Sequence, residues 1–313
     1  MTKYQKQLLA GALALLVAFG VTLFAGDNEQ DQRDSVERAC AAGLKELADF
    51  GGLTLCTHGP DPAGAVGPPK SDVARFERVR SSAPCGANDG PRIHAFRDPA
   101  LNWTSAEVRD ALGYAVGQMR ASASAANAQS YRILCNSKDR PVTTAISPVW
   151  GVSTAFSDVV TAFRNGGYTN PDRIYVFYGK PPGYVYAGQG TVGPSATSPQ
   201  YALISAGGSD TGYGRVTVHE IGHNLGAVKH DAPHASGAYH CWEEGDVMCY
   251  NDGGSYFANG DTMVNTSCPV LPLADWVFDC SDDDYYNPGF GTINPALYNT
   301  ATSEFLYAPG LWP

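Results

Sequence analysis

His219, Glu220 and His223 have a spacing that can build a metal site. Histidines four residues apart on a helix lie about one turn apart on the same face, so both imidazoles can bind one zinc ion. The glutamate beside the first histidine can act as general base toward water that the ion activates. The apolar residues that would pack this helix into a core are Val218, Ile221 and Leu225. Because Gly226 also suits a helix end, we favour a buried metal-binding helix over a surface helix with two solvated histidines.

Two segments extend this motif into a family resemblance. Residues 219–226 read HEIGHNLG, and residues 246–250 read DVMCY. Together they resemble the elongated zinc helix and the later Met-turn of metzincin peptidases, and more closely those of bacterial exported metzincin-like peptidases. Other matching segments are 223–228, 232–234, 240–241, 278–280, 283–285 and 298–300. The resemblance is sharp over residues 215–250 and loose over residues 92–313.

The resemblance implies a fold and an activity. The expected fold class is α+β with α/β-like character: a metzincin-like mixed twisted sheet, an active-site zinc helix, and a loop-rich, disulfide-bonded C-terminal subdomain. Met248 would lie beneath one catalytic zinc ion, and Tyr250 would either approach the site or pack below it. The expected activity is hydrolysis of protein or peptide substrates, with Glu220 as the catalytic base. An extended substrate would add as a strand to the sheet edge, which we expect at residues 201–205.

The third metal ligand departs from the family pattern. The usual third histidine would fall at Lys229, and a protonated lysine cannot bind zinc. The candidates further along the chain are His230, His234 and His240. We favour His240, because a disulfide between Cys241 and Cys249 would hold it beside the predicted Met-turn. His234 and then His230 are the alternatives.

The elements that must position these residues are predicted within residues 91–313, which we assign to the zinc metallopeptidase domain. Apolar periodicity and capping signals predict strands at 93–96, 131–135, 173–178 and 201–205, with helices at 105–119 and 153–164. Residues 27–90 form an N-terminal segment with a Gly/Pro-rich linker, in which residues 34–49 have helical spacing.

Residues 1–26 are typical of an export segment. Lys3 and Lys6 precede an uncharged run over residues 8–25, which predicts either a cleaved signal peptide or an uncleaved membrane tether. Eight cysteines behind such a segment favour disulfides, with Cys241–Cys249 and Cys268–Cys280 as short candidate loops. We therefore expect a secreted or extracytoplasmic membrane-anchored protein.

The net charge of −10 argues against nucleic acid as a partner, because an acidic surface repels phosphates. An acidic group near the C-terminus offers the oxygen ligands that calcium prefers, although a solvated acidic loop is the favoured explanation for it. Its members are Asp279, Asp282, Asp283 and Asp284. Two other functions remain open: a zinc amidase that cuts cell-wall peptides, and a non-catalytic zinc-containing binding or adhesion protein.

Overall fold

The computed structural model describes the residues that build the candidate site. They are residues 45–50, 53–57, 61–62, 85, 90–101, 103–122, 127–146, 155–193, 198–205, 210–229, 232–264, 277–280, 282–289 and 299–308. The chain divides into two units, Met1–Cys56 and Thr57–Pro313. Strands β1 (Lys45–Phe50) and β2 (Leu53–Thr57) pair in a two-stranded sheet, so the predicted helix at 34–49 is wrong from Lys45 onward. The predicted export segment at 1–26 lies outside the described residues.

A six-stranded mixed sheet forms the framework of the second unit. Its strands are β3 (Asp61–Pro62), β4 (Arg92–Arg97), β6 (Thr143–Ala145), β7 (Arg173–Tyr178), β8 (Tyr186–Gly190) and β9 (Gln200–Ile204). The order is β3-β8-β9-β7-β4-β6, and β9, β7, β4 and β6 run parallel to one another. Strand β8 runs antiparallel to β9, and β3 runs antiparallel to β8. A separate pair joins β5 (Ser130–Tyr131) to β10 (Leu306–Tyr307).

Helices cover both faces of this sheet. They are α1 (Ser105–Ala121), α2 (Phe156–Asn165) and α3 (Asp210–Leu225). A short helix, α4 (Ser255–Ala258), lies in the region after His240. Helix α1 begins at the predicted capping box, in which Thr104 and Glu107 bond each other's backbone N–H groups. Helices α1 and α3 share one apolar core with the sheet.

Alternate residues of the central strands enter the two layers. In β7, Ile174 and Val176 join the core under α1 and α3, whereas Tyr175 and Phe177 face α2. There the ring of Phe163 lies 6.0 Å from Tyr175 and 5.8 Å from Phe177. Burial on both faces explains why β7 reads as a continuous β-branched and aromatic run.

The predicted mixed α/β class is confirmed, with a mostly parallel sheet. The expectation that residues 201–205 form the sheet edge is wrong, because β9 lies between β7 and β8. The strand beside β9 on that side is the antiparallel β8, which was not predicted from the sequence, and the short β3 lies at the edge. The sequence of β8, Tyr-Ala-Gly-Gln-Gly, contains two glycines that weaken any strand pattern.

Disulfides tie the loops of the second unit. Cys85 bonds Cys135, and the predicted Cys241–Cys249 bond is present with a Cα–Cα distance of 4.2 Å. Cys280 is also disulfide-bonded, whereas Cys268, its predicted partner, lies outside the described residues. Among the helices of the described segments, none is long and apolar enough to span a membrane. The apolar run 8–25 lies outside the described residues.

Candidate metal centre

Three buried imidazoles converge at the candidate site. His219 and His223 lie on α3, as their spacing predicts, and His240 reaches them from the loop that follows the helix. The ring centroids lie 4.9 Å apart for His219 and His223, 5.2 Å for His219 and His240, and 5.0 Å for His223 and His240. One nitrogen from each ring lies within 4.8 Å of the others, so the three side chains can hold one metal ion.

The separation of the two helical histidines fits tetrahedral coordination. Their Nε2 atoms are 3.2 Å apart. Two nitrogens bound to zinc at about 2.0–2.1 Å with a tetrahedral angle between them would be separated by about 3.3 Å. Three imidazoles with a fourth position left open are also a ligand set of catalytic zinc sites. The residues present therefore fit a zinc ion, although the geometry does not select zinc over other metals that bind imidazole.

The backbone fixes the orientation of His219. Its Nδ1 lies 2.8 Å from the carbonyl oxygen of Val247, and because a carbonyl can only accept, Nδ1–H must donate. The Nε2 atom is then left with a lone pair directed toward His223. Such an outer hydrogen bond is the usual way to orient a metal-binding histidine. Residue Val247 therefore contributes to the centre through its main chain.

Asp252 performs the same task for His240. Its Oδ2 lies 3.0 Å from His240 Nδ1, and the same carboxylate accepts bonds from Ser236 Oγ and from the Gly254 N–H. Burial raises the pKa of Asp252, but the bonds from His240, Ser236 and Gly254 outweigh it and hold the pKa below its usual value. The ionised carboxylate therefore directs His240 Nε2 toward the other two rings. Sequence reasoning missed Asp252, because no local pattern links it to a histidine twelve residues earlier.

Glu220 lies against the backbone of β8. Its side chain is fully buried, and its carboxylate occupies the space that a Cβ atom at Gly188 would fill. A Cβ at Gly190 would come within 3.3 Å of Glu220 Oε2 and within 2.9 Å of Glu220 O. Glycine at 188 and 190 is thus required for the close approach of α3 to β8. The one sign of this contact in the sequence is the pair of alternating glycines in β8.

The C-terminal half of α3 is hydrogen-bonded to the hairpin formed by β8 and β9. Asn224 Nδ2 donates to the carbonyl oxygens of Thr191 at 2.7 Å and Tyr201 at 3.0 Å. The helix ends at Leu225, and Gly226 follows with φ +86°, which is the left-handed conformation expected at this position. These contacts fix the rotation of the helix, and with it the direction of both histidines.

Met248 and Tyr250, the residues of the predicted Met-turn, lie against α3 and beside two of the converging histidines, respectively. Met248 is buried against the helix backbone, since a Cβ at Gly222 would lie 2.5 Å from its Sδ atom. The ring of Tyr250 lies 4.2 Å from His240 and 6.0 Å from His219. The Cys241–Cys249 disulfide joins the residues that follow His240 and Met248, so it links the third imidazole to the turn.

His234, the second candidate ligand, does not join this group. His234 lies instead against Asp284 and Glu243, with its Nδ1 atom 2.5 Å from Asp284 Oδ1. His230 lies outside the described residues. The acidic group near the C-terminus is not a solvated loop throughout, because Asp279 and Asp284 are buried. Asp279 accepts bonds from the backbone N–H groups of residues 283, 285 and 286, which gives it a role in holding that turn.

Comparison with known proteins adds no family to these observations. Neither the models of known protein families nor the curated proteins contain a match to this chain. Function must therefore be argued from the site itself.

Proposed function

We propose that this protein is an extracellular zinc-dependent endopeptidase of metzincin type. The observation that carries the proposal is the convergence of His240 with His219 and His223 of α3, the buried helix that also carries Glu220. A metal site with a purely structural role needs no general base, whereas hydrolysis does. Burial of Glu220 among glycines favours a fixed carboxylate rather than a stray surface residue.

The proposed reaction divides the work between the ion and the chain. When bound by three imidazoles, zinc lowers the pKa of a coordinated water to about 7 and polarises a carbonyl. Glu220 accepts the proton of the attacking water and delivers it to the leaving amine. Val247 and Asp252 hold the imidazoles in the tautomers that leave their Nε2 atoms directed inward. In this proposal Tyr250, whose ring lies beside His240, donates a hydrogen bond to the carbonyl oxygen as negative charge develops there.

The expected substrate is an extended peptide. Glu220 packs on β8, so a peptide that adds to the outer edge of β8 would run beside the general base. In this structure Asp61–Pro62 already pair with that edge, and Thr57 Oγ1 donates to Gly190 O at 3.0 Å. A substrate that binds by strand addition would have to replace this short pairing.

The decisive test compares the purified protein with Glu220→Gln. We expect chelator-sensitive cleavage of casein by the wild-type protein and a loss of about 10²–10⁴-fold in the variant, with bound zinc unchanged. Glu244→Gln is the matched control, because Glu244 is exposed and its activity should equal that of the wild type.

The outcomes separate the competing functions. Full activity of Glu220→Gln would refute the role of the carboxylate. Chelator-sensitive release of peptide from peptidoglycan but not from casein would favour the cell-wall amidase. If no substrate is cleaved, the protein is better explained as a binding or adhesion protein.

A further inference from the structure

A second group of side chains that could hold a metal ion includes residues on either side of His240 in the chain. His234, Glu243, Asp283 and Asp284 each offer a ligand atom, and these atoms all lie within 4.8 Å of one another. The Nδ1 atom of His234 is 2.5 Å from Asp284 Oδ1 and 3.4 Å from Glu243 Oε1. None of the four belongs to the group of His219, His223 and His240, so the two clusters are separate.

Burial makes the second group more than a surface cluster of acids. The side chain of Asp284 has no exposed area and that of Glu243 is 9% exposed. Asp246 and Asp279, which are also buried, act on the same carboxylates. Burial, and then the nearby carboxylates, raise the pKa of Asp246 and of Asp279. These buried carboxyls therefore resist ionisation unless a cation offsets their charge.

Glu243 supplies an independent indication of a ligand. Its Oε2 atom is buried, and no hydrogen-bond donor in the described part of the chain reaches it. Leaving a buried carboxylate oxygen without a donor or a cation is energetically unfavourable. Its membership of the group places this side chain among the oxygens of Asp283 and Asp284 and the nitrogen of His234. A bound cation would satisfy it.

We propose that His234, Glu243, Asp283 and Asp284 bind a second divalent metal ion. The ligand set of one imidazole and three carboxylates selects an ion such as Zn²⁺ or Mn²⁺, because Ca²⁺ takes oxygen ligands alone. The alternative occupant is a proton on His234, which would bridge Asp284 and Glu243 as an imidazolium. The metal replaces that proton, so the experiment must distinguish the two.

The second ion would hold in place the loop of residues 234–243, which carries His240. His234 and Glu243 flank His240 in the chain, and the backbone N–H of Trp242 donates to His234 O at 3.1 Å. Asp283 and Asp284 belong to the C-terminal turn that Asp279 holds. An ion shared by both segments would therefore limit the movement of His240, without taking part in hydrolysis.

The test counts metal ions on the full chain. Protein stripped with a chelator is loaded separately with Zn²⁺, Mn²⁺ and Ca²⁺, and the ions per chain and the Tm are measured. We expect two Zn²⁺ or two Mn²⁺ per wild-type chain, one in Glu243→Gln, and one in His240→Ala. Glu244→Gln is the matched control, since it removes one exposed negative charge at the next position and should keep two ions.

The outcomes are distinct. A single ion on the wild-type chain, or two ions on Glu243→Gln, would overturn the proposal, and so would a second site that takes Ca²⁺ and ignores His234→Gln. If Glu243→Gln does not fold, Asp283→Asn replaces it, because Asp283 is exposed and its loss is milder. In that variant we expect affinity for the second ion to fall at least about tenfold, while unchanged affinity would contradict the assignment.

Discussion

The close contact between Gly222 and Met248 predicts that Gly222→Ala destabilises the wild-type protein but stabilises a variant that lacks the Met248 side chain. A Cβ at Gly222 would lie 2.5 Å from Met248 Sδ and 3.1 Å from Phe278 Cε2. Such overpacking of a buried site lowers the free energy of unfolding by about 1–3 kcal/mol, and a contact this short should cost an amount near the upper end of that range. Alanine instead of glycine inside a helix returns about 1 kcal/mol. Gly222→Ala should therefore lower the free energy of unfolding by about 1–2 kcal/mol.

Removal of Met248 should reverse that sign. In a Met248→Ala background the clash with sulfur is gone, so Gly222→Ala should stabilise by up to about 1 kcal/mol through helix propensity. The interaction energy between the two substitutions is then about 2–3 kcal/mol. Urea denaturation of the metal-free protein measures it, since a chelator removes the contribution of metal binding to stability.

A second glycine on the same helix provides the control. A Cβ at Gly214 would lie 2.6 Å from Cγ of Tyr114. Gly214→Ala therefore also introduces a steric clash, but with Tyr114 rather than with Met248. Its cost should be the same with and without Met248→Ala. If Gly222→Ala and Met248→Ala prove additive within about 0.5 kcal/mol, the placement of Met248 beneath the metal-binding helix is refuted.

Three further predictions concern the supports of the site and the fold. Asp252→Asn should weaken zinc binding about 10–100-fold, measured by competition with a coloured chelator, because His240 loses its carboxylate partner; unchanged affinity would contradict that role. Replacing both Cys241 and Cys249 by serine should cost about 2–3 kcal/mol of stability, measured by urea denaturation, and an equal stability would show that the short loop is held by other contacts. Burial, and then Arg173, lower the pKa of His94 to about 4, so the unfolded chain takes up the proton first as the pH falls below about 6.5. This contribution to stability is therefore present at neutral pH and lost toward pH 4. Between pH 7 and 4.5, the free energy of unfolding should fall by about 2 kcal/mol more in the wild type than in His94→Gln, measured by urea denaturation. Identical pH profiles would refute this.

The local sequence pattern predicts those residues of the site that lie together on a single helix. His219, Glu220 and His223 lie within two turns of α3, and helix geometry alone brings the two histidines to one face. The strand 173–178 was equally readable, because burial on both faces demands an unbroken run of β-branched and aromatic residues. The Cys241–Cys249 bond joins residues close in sequence, so few competing pairings arise.

Contacts between distant segments were beyond the sequence alone. Three histidines follow Lys229, and only the path of the loop decides that His240 reaches the helix while His234 turns to Asp284. Asp252 shows the same limit, since its role exists only where the chain returns to His240.

The sheet edge makes the same point at the level of topology. Residues 201–205 were correctly predicted as a strand, but the position of a strand within a sheet depends on its neighbours rather than on its own residues. Strand β8, with two glycines and little apolar pattern, lies between β9 and β3, and its bare backbone leaves room for Glu220. The sequence by itself therefore determined the helix that carries two imidazoles and a carboxylate, through spacing that any α-helix enforces. The tertiary structure decided which third imidazole, which carboxylate and which strand complete the centre, because loop closure and packing bring together residues whose separation in sequence carries no periodic signal.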